Sequence, residues 1–498
     1  MAVNFDVVTA FGGIDADNDP LLDRCFETHR AYLDARSHSK TVILGRKGSG
    51  KTAIFRQFVK IADGLTHSSG HVFSDYPWHY HAKQRQTGVP EEHCYVNSWE
   101  YLIYIALAKL LLREETTQSW SAATTHHIAI LKSFISDTYG STDPDLSTIF
   151  YPEMTVKVKA ELGVNLKLVN AKLTGEAISM EYLPTVVSDI NKRLQQIIVE
   201  SANPDRHYFV CFDELDLGFS LETKDYKSHV TGLLIAARKI NTAARQANKN
   251  MSVIVFLRDD IYNMLHFEDK NKITVGSVSL IEWDVEKGGP SLKSIAERRF
   301  SEIFNIDQQG SWSEIFDETK EMSSRQTKYS HIVDRTFLRP RDIIQFLNEI
   351  LRVHRQANDG QASKFNNRNV IAARLRYSQY LLDELDDEIR KHHPDYKKYL
   401  EIFKTIGSLQ FSLLDLEAAL NRRSDLGLKE TSPRQLLSNL FEFSVIGFYK
   451  PGGAGYGGAD YVWRHKDRRI QFNDNASSYR VHPGLMEVLG LKKWTKSS

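Results

Sequence analysis

At 498 residues, 41% hydrophobic and 26% charged, the chain is long enough for about two to four domains, each with its own core. A formal net charge of +1 excludes any chain-wide pull toward nucleic acid or membrane, so either partner has to be argued from a local patch. Cys25, Cys94 and Cys211 show no C-x-x-C spacing, no run nears the roughly 18 apolar residues of a membrane span, and the first residues lack the order of a secretory leader; a cytoplasmic protein with no membrane partner is expected.

Phe11 to Pro20 is acidic and turn-rich, and a helix is predicted from about Leu21 to Arg36. This leading segment packs near a nucleotide base or caps the domain; spacing leaves both readings open. The run Thr41-Val42-Ile43-Leu44 has the signature of a buried strand, and Ala53 to Val59 that of a helix. Between them, Gly45, Arg46, Lys47, Gly48, Ser49, Gly50, Lys51 and Thr52 fit G-x-x-x-x-G-K-[ST]. Glycines let the backbone curl so that successive amides point at phosphate oxygens, and the helix start adds its positive end. Lys51 is expected on the β- and γ-phosphates of ATP and the Thr52 hydroxyl on Mg²⁺.

His71 to Phe73 reads as a short strand. His79, His81, His93 and Cys94 do not match structural zinc spacings and read as a polar loop. Ser98 to Leu112 has helical apolar spacing and is predicted to be a core helix. From Val156 to Leu168 apolar and polar residues alternate, which predicts a β-hairpin insertion serving as a contact surface. A helix follows from about Met180 to Ser201.

His207 to Phe212 is an apolar strand that runs into Asp213-Glu214. Downstream of the glycine loop this pair is expected to divide the work, Asp213 in the Mg²⁺ shell and Glu214 orienting and deprotonating the attacking water. Ser252 to Leu257 is another strand and ends at Arg258-Asp259-Asp260, where an ion pair between the arginine and a neighbouring aspartate is one reading. Ser277 to Trp283 supplies a further strand, and from Ser291 the pattern is helical. Pro340 opens a helix, and a charged amphipathic helix over about 368–391 is broken at His392-His393-Pro394. Helices near 396–406, 412–421 and 432–443, then strands 445–449 and 461–464 around the tip Gly452 to Gly458, predict a winged helix. Arg464, Lys466, Arg468 and Arg469 bunch beside the tip. They form a phosphate-contacting patch for DNA, or a solvated wing or protein contact.

Taken together, the loop, Asp213-Glu214, Arg258, Pro340-Arg341 and the terminal helices resemble the AAA+ and signal-transduction (STAND) P-loop ATPases, nearest in layout to the origin-recognition-like clade. Phe11-Gly12 with Asp15-Ala16, Gly45-Arg46-Lys47-Gly48, Arg258-Asp259-Asp260 and Leu440-Phe441-Glu442-Phe443 look like a bacterial and phage-borne family of such ATPases. Several relatives of that family sit in anti-phage defence loci beside an effector. The resemblance implies a three-layer α/β P-loop NTPase core over 1–288 with an insertion around 75–180, a helical lid over 289–393 and a winged-helix domain over 394–498. It makes Arg258 a γ-phosphate sensor as an alternative to the ion pair, and Arg341 a lid sensor as an alternative to a structural helix start. Arg298 or Arg299 becomes a finger acting in trans, or a salt-bridging residue. An arginine closing the sensor strand, in place of the Asn or Thr of AAA+ motors, argues against processive unfoldase or helicase work. The implied function is an ATP- and Mg²⁺-dependent switch or assembly, as a homo-oligomer or with a separate effector. The alternatives are a DNA-binding initiator- or transposition-type ATPase and a non-hydrolysing nucleotide-bound scaffold.

Overall fold

The computed structural model describes residues 3–74, 76–114, 121–158, 177–216, 224–284, 291–323, 325–357, 363–390, 392–428, 432–452 and 460–493. They divide into two compact units, one of residues 29–46 and 51–281, the other of residues 1–28, 47–50 and 282–498. The protein is mixed α/β, and no helix among the described residues is long and apolar enough to cross a membrane.

In the first unit the apolar runs become strands of one five-stranded sheet: β1 (Val42–Gly45), β2 (Thr66–Val72), β5 (His207–Asp213), β6 (Met251–Arg258) and β7 (Val278–Leu280), in the order β2-β5-β6-β1-β7. Every pairing is parallel. All eight residues of β6 and six of the seven in β5 are buried, as expected of parallel strands covered on both faces, which read as continuous apolar runs. β2 is longer than the three residues anticipated, because its polar Ser68, Ser69 and His71 are tolerated on a half-buried edge strand. A second pair, β3 (Thr155–Lys157) and β4 (Ala177–Ser179), runs antiparallel. The rest of the alternating run, 159–168, lies outside the described residues.

Helix Val96–Glu114 is the centre of this unit's core, with seventeen of its nineteen positions buried. A helix apolar nearly all round has to sit inside. It packs with helices Leu183–Ser201 and Lys224–Gln246 and with the sheet through residues such as Trp99, Ile103, Leu194, Leu233 and Phe212. Its buried charges are each answered: Lys109 by Asp143 and the Pro144 carbonyl, Glu100 by Lys239, Glu114 by the Tyr208 hydroxyl.

The second unit is helical up to Ile389, with Leu292–Phe304, Pro340–Gln356 and Asn367–Ile389 its long members. Helices Tyr396–Ile406, Leu413–Arg422 and Pro433–Glu442 follow. A four-stranded sheet then forms from β8 (Gln410–Phe411), β9 (Ile446–Lys450), β10 (Asp460–Val462) and β11 (Tyr479–Val481), in the order β10-β9-β11-β8 and antiparallel throughout. The glycine tip between β9 and β10 is described only at Gly452; Gly453 to Gly458 lie outside the described residues.

The helix expected over 21–36 forms only at Arg30–Arg36. Upstream, the Asp19 carboxylate accepts the amides of Gly13 and Leu21 and pairs with Arg299, and side-chain capture of local amides competes with a helical turn. Phe5 stacks on Phe365 at 4.2 Å between ring centroids, and Phe11 meets Phe300 edge-on at 5.1 Å. This first segment is therefore part of the helical unit's core.

Candidate nucleotide site

In the sheet unit, β1 ends at Gly45 opposite Arg258 of β6, and helix Lys51–Val59 carries the chain away. β5 lies on the far side of β6 and delivers Asp213 at its last position. The carboxyl ends of parallel strands, where the chain departs in different directions, are where such sheets hold ligands. Lys51 Nζ donates to the carbonyls of Gly45 and Arg46 at 3.0 and 3.1 Å. Burial lowers its pKa, with the charges of Asp216 and Asp213 working the other way. Burial likewise raises the pKa of Asp213, opposed by Lys51 and by a hydrogen bond from the Thr52 side chain. Thus Lys51, Thr52 and Asp213, which are 162 positions apart in sequence at their widest, are brought into one electrostatic neighbourhood.

Asp213 is 2% exposed, and its Oδ2 has no hydrogen-bond partner among the described residues. A buried carboxylate oxygen left without a donor suits a cation. Among the described residues no group of three His, Cys, Asp or Glu side chains converges on a metal position. A Mg²⁺ held here would therefore take most of its oxygens from water and phosphate, which is its usual preference. Glu214 follows with φ of 58°. A non-glycine residue in the left-handed region costs roughly 1–2 kcal/mol, and such costs gather at functional sites.

Arg258 is 6% exposed and forms a two-pronged pair with Asp260, Nε to Oδ1 at 3.0 Å and Nη2 to Oδ2 at 2.7 Å, with Asp216 at 3.5 Å. Asp216 also acts on Lys51 and Asp213, so it belongs to the same charge network. Nothing in the sequence singled it out, since it sits past the strand end among turn residues.

In the helical unit, the loop tip Lys47 to Gly50 is held by side chains from far downstream. Gly48 has φ of 77°, and a Cβ there would stand 3.1 Å from Cβ and Cδ of Arg341; only glycine fits without displacement. Gly50 has φ of 102° with open space around it. Arg341 Nη1 pairs with Glu384 at 3.0 Å while its Nε donates to the Ile14 carbonyl at 2.8 Å. Lys47 Nζ is 2.6 Å from Asp387 and 3.7 Å from the same Glu384. Trp283 Nε1 donates to the Ser49 carbonyl at 3.0 Å.

Arg339 is a second residue missed by sequence reasoning. It is 1% exposed, donates from Nη1 to the Lys47 carbonyl at 3.1 Å, and is clamped by Asp342 at 2.9 Å and by Glu388. Burial opposes its charge, but the two carboxylates outweigh burial and hold its pKa above the ordinary value. Between Leu338 and Pro340 it reads as a surface loop residue; no local pattern betrays that it is buried.

Arg299 is excluded as a finger in trans. It is 3% exposed, pairs with Asp19 at 2.5 Å and donates to the Phe11 carbonyl, so it is a structural anchor; Arg298 pairs with Glu27. The four bunched cations each stand beside a carboxylate: Arg464 beside Glu442 at 3.1 Å, Lys466 beside Asp334 at 3.5 Å, Arg468 beside Glu282 at 3.6 Å and Arg469 beside Asp467 at 3.2 Å. The exposed pairs of Lys466 and Arg469 are weak and open to exchange for phosphate, whereas Arg464 also donates to the carbonyls of Arg468 and Ile470.

Comparison with known proteins adds three likenesses. The profile of the FunZ-associated C-terminal helical domain matches residues 290–386. The transposon gamma-delta 80.3 kDa protein of Escherichia coli (strain K12) is 23% identical over 517 aligned positions, covering 97% of this chain and 67% of its own. Among solved structures, the Aeropyrum pernix ORC1 protein in complex with DNA covers 85% of this chain and 82% of its own at 13% identity, with a TM-score of 0.33.

Proposed function

We propose that the chain is an AAA+-type P-loop ATPase that binds and hydrolyses Mg²⁺-ATP and works in association with DNA. The observation that carries the nucleotide reading is the meeting of Lys51, Thr52 and Asp213 at the carboxyl ends of the parallel strands. The relative named for a transposon, matching over 97% of this chain, supports the DNA setting and puts it ahead of the sensor that works with a separate effector in a defence locus. In this reading the core spans 1–288 with β3 and β4 rooting a hairpin insertion, 289–393 form a lid, and 394–498 a winged helix with β9 and β10 as the wing.

The loop amides of residues 45–50 and Lys51 bind the phosphates, and Thr52 and Asp213 hold the metal. Bound Mg²⁺ supplies charge neutralisation between the terminal phosphates. Glu214 orients and deprotonates water, and Arg258 contacts the γ-phosphate by exchanging a present carboxylate partner for it. Changes at the loop tip then pass to the helices that grip Lys47 and Gly48, giving a nucleotide-dependent switch.

Phosphate release by Glu214→Gln tests hydrolysis: it should fall by about two orders of magnitude or more while ATP affinity is kept. Equal, negligible release from wild type and variant would favour the scaffold reading, and unchanged ATP affinity in Lys51→Ala would refute the site. For DNA, a salt-dependent mobility shift lost on replacing Arg464, Arg468 and Arg469 together is expected; no shift at low salt would leave the effector-linked switch as the better account.

A further inference from the structure

Four cationic side chains from distant parts of the helical unit gather around one carboxylate, which pairs with one of them and acts on two others, while the fourth acts on those same two. Arg335 follows helix Lys328–Val333, Arg374 lies on helix Asn367–Ile389, Arg480 on β11 and Lys493 near the last described residue. The carboxylate is Glu487, with Oε1 3.0 Å from Arg374 Nε. Arg335 is 4% exposed. Nε of Arg335 and Nε of Arg480 are both buried and have no hydrogen-bond partner among the described residues. Burial first, then the charges of Arg374 and Arg480, pull the Arg335 pKa down to about 10, with Glu487 and Asp334 offsetting only in part. Asp334 is itself engaged by Lys466 and by Gln326.

Guanidinium groups are rarely left buried with idle donors and a surplus of like charge, because each unmet donor and each unscreened cation is costly. What cancels both at once is an anion with several acceptor oxygens. We propose that Arg335, Arg374, Arg480 and Lys493 form a phosphoryl-binding site, with Glu487 tuning its affinity. The cations fit one phosphoryl group rather than the face of a duplex: Arg335 is enclosed, at 4% exposure, whereas duplex readers present their cations outward. The group can arrive as a free phosphate compound or as a single backbone phosphate at a nucleic-acid end. The site shares no residue with the Lys51 loop, so it stands whether or not that loop turns over ATP.

The test uses the full chain carrying Lys51→Ala, which removes the loop as a phosphate binder, and follows pyrophosphate by calorimetry. Binding should persist in this background, weaken at least about tenfold on adding Arg374→Gln and Lys493→Gln, and strengthen several-fold on adding Glu487→Gln, since a charge-assisted bond is lost in the first case and a competing anion in the second. The gain in the Glu487→Gln form cannot come from misfolding, and thermal melts check the others. Absent binding of both pyrophosphate and a 5′-phosphorylated oligonucleotide, unaltered binding in the Gln variants, or a loss with Glu487→Gln would each overturn the proposal. Binding of the oligonucleotide with none of pyrophosphate, lost on removing its 5′-phosphate and on adding Arg374→Gln and Lys493→Gln, assigns the site to a nucleic-acid terminus; binding of pyrophosphate alone assigns it to a small phosphate compound.

Discussion

Replacing Arg339 by methionine tests the grip on the loop tip most directly. Methionine keeps much of the buried volume but leaves Asp342, at 0% exposure, and Glu388, at 4%, without their shared cation, and frees the Lys47 carbonyl. Removing one partner of a buried ion pair costs about 3–5 kcal/mol, mostly through the stranded charge. For a unit of this size each kcal/mol moves Tm by about 2–4 °C, so a fall of roughly 6–20 °C is expected by calorimetry, together with weaker ATP binding. The control neutralises the acids. Arg339→Met combined with Asp342→Asn and Glu388→Gln should recover most of the lost Tm, because no buried charge is left over, yet it should not recover ATP affinity, because the Lys47 carbonyl is still unheld. A single variant within about 2 °C of wild type would refute the burial argument, and full recovery of ATP binding in the triple variant would refute the link between Arg339 and the loop.

Two further outcomes follow from the same structure. His38 is held to a pKa of about 4 by burial first and then by His207 and Arg36, and its ring bonds Ser252 and His207; because the folded value lies below the unfolded one, its contribution is complete above about pH 6.5 and drains away as pH falls toward 4, by up to about 3 kcal/mol. His38→Asn, tolerated at φ of 60°, should show a correspondingly smaller loss between pH 7 and 4.5 in urea melts, and identical losses would sink the assignment. Gly48→Ala should cost about 1–2 kcal/mol of backbone strain plus displacement of Arg341, and should combine less than additively with Arg341→Ala; strict additivity would mean that the close approach is not felt.

What could be read from the sequence was whatever depends on neighbours in the chain. The glycine loop between an apolar run and a helix, and the acids closing His207 to Phe212, are local signals, and their positions follow from them. The strand order was not legible: that β6 lies between β1 and β5 depends on pairings across some two hundred residues. Charge roles were the least visible. The adjacent basic residues at 464–469 attract attention but each stands beside an acid, while Arg335, Arg374, Arg480 and Lys493 are scattered along the chain and meet only in the fold. Arg339 hides for the same reason. The misplaced start of the helix at Arg30 traces to Asp19, whose decisive partner, Arg299, is 280 positions away.

The helical unit is assembled from three separated stretches, and this bears on the order of events on the ribosome. Phe300 and Phe365, the ring partners of Phe11 and Phe5, are translated 289 and 360 residues after them, roughly 15–70 seconds at ordinary elongation rates of about 5–20 residues per second. During that interval the leading segment has no native place to settle, so a nascent-chain chaperone that shields those aromatics should raise the yield of folded protein, whereas expression of residues 282–498 without the opening segment should give an aggregation-prone fragment.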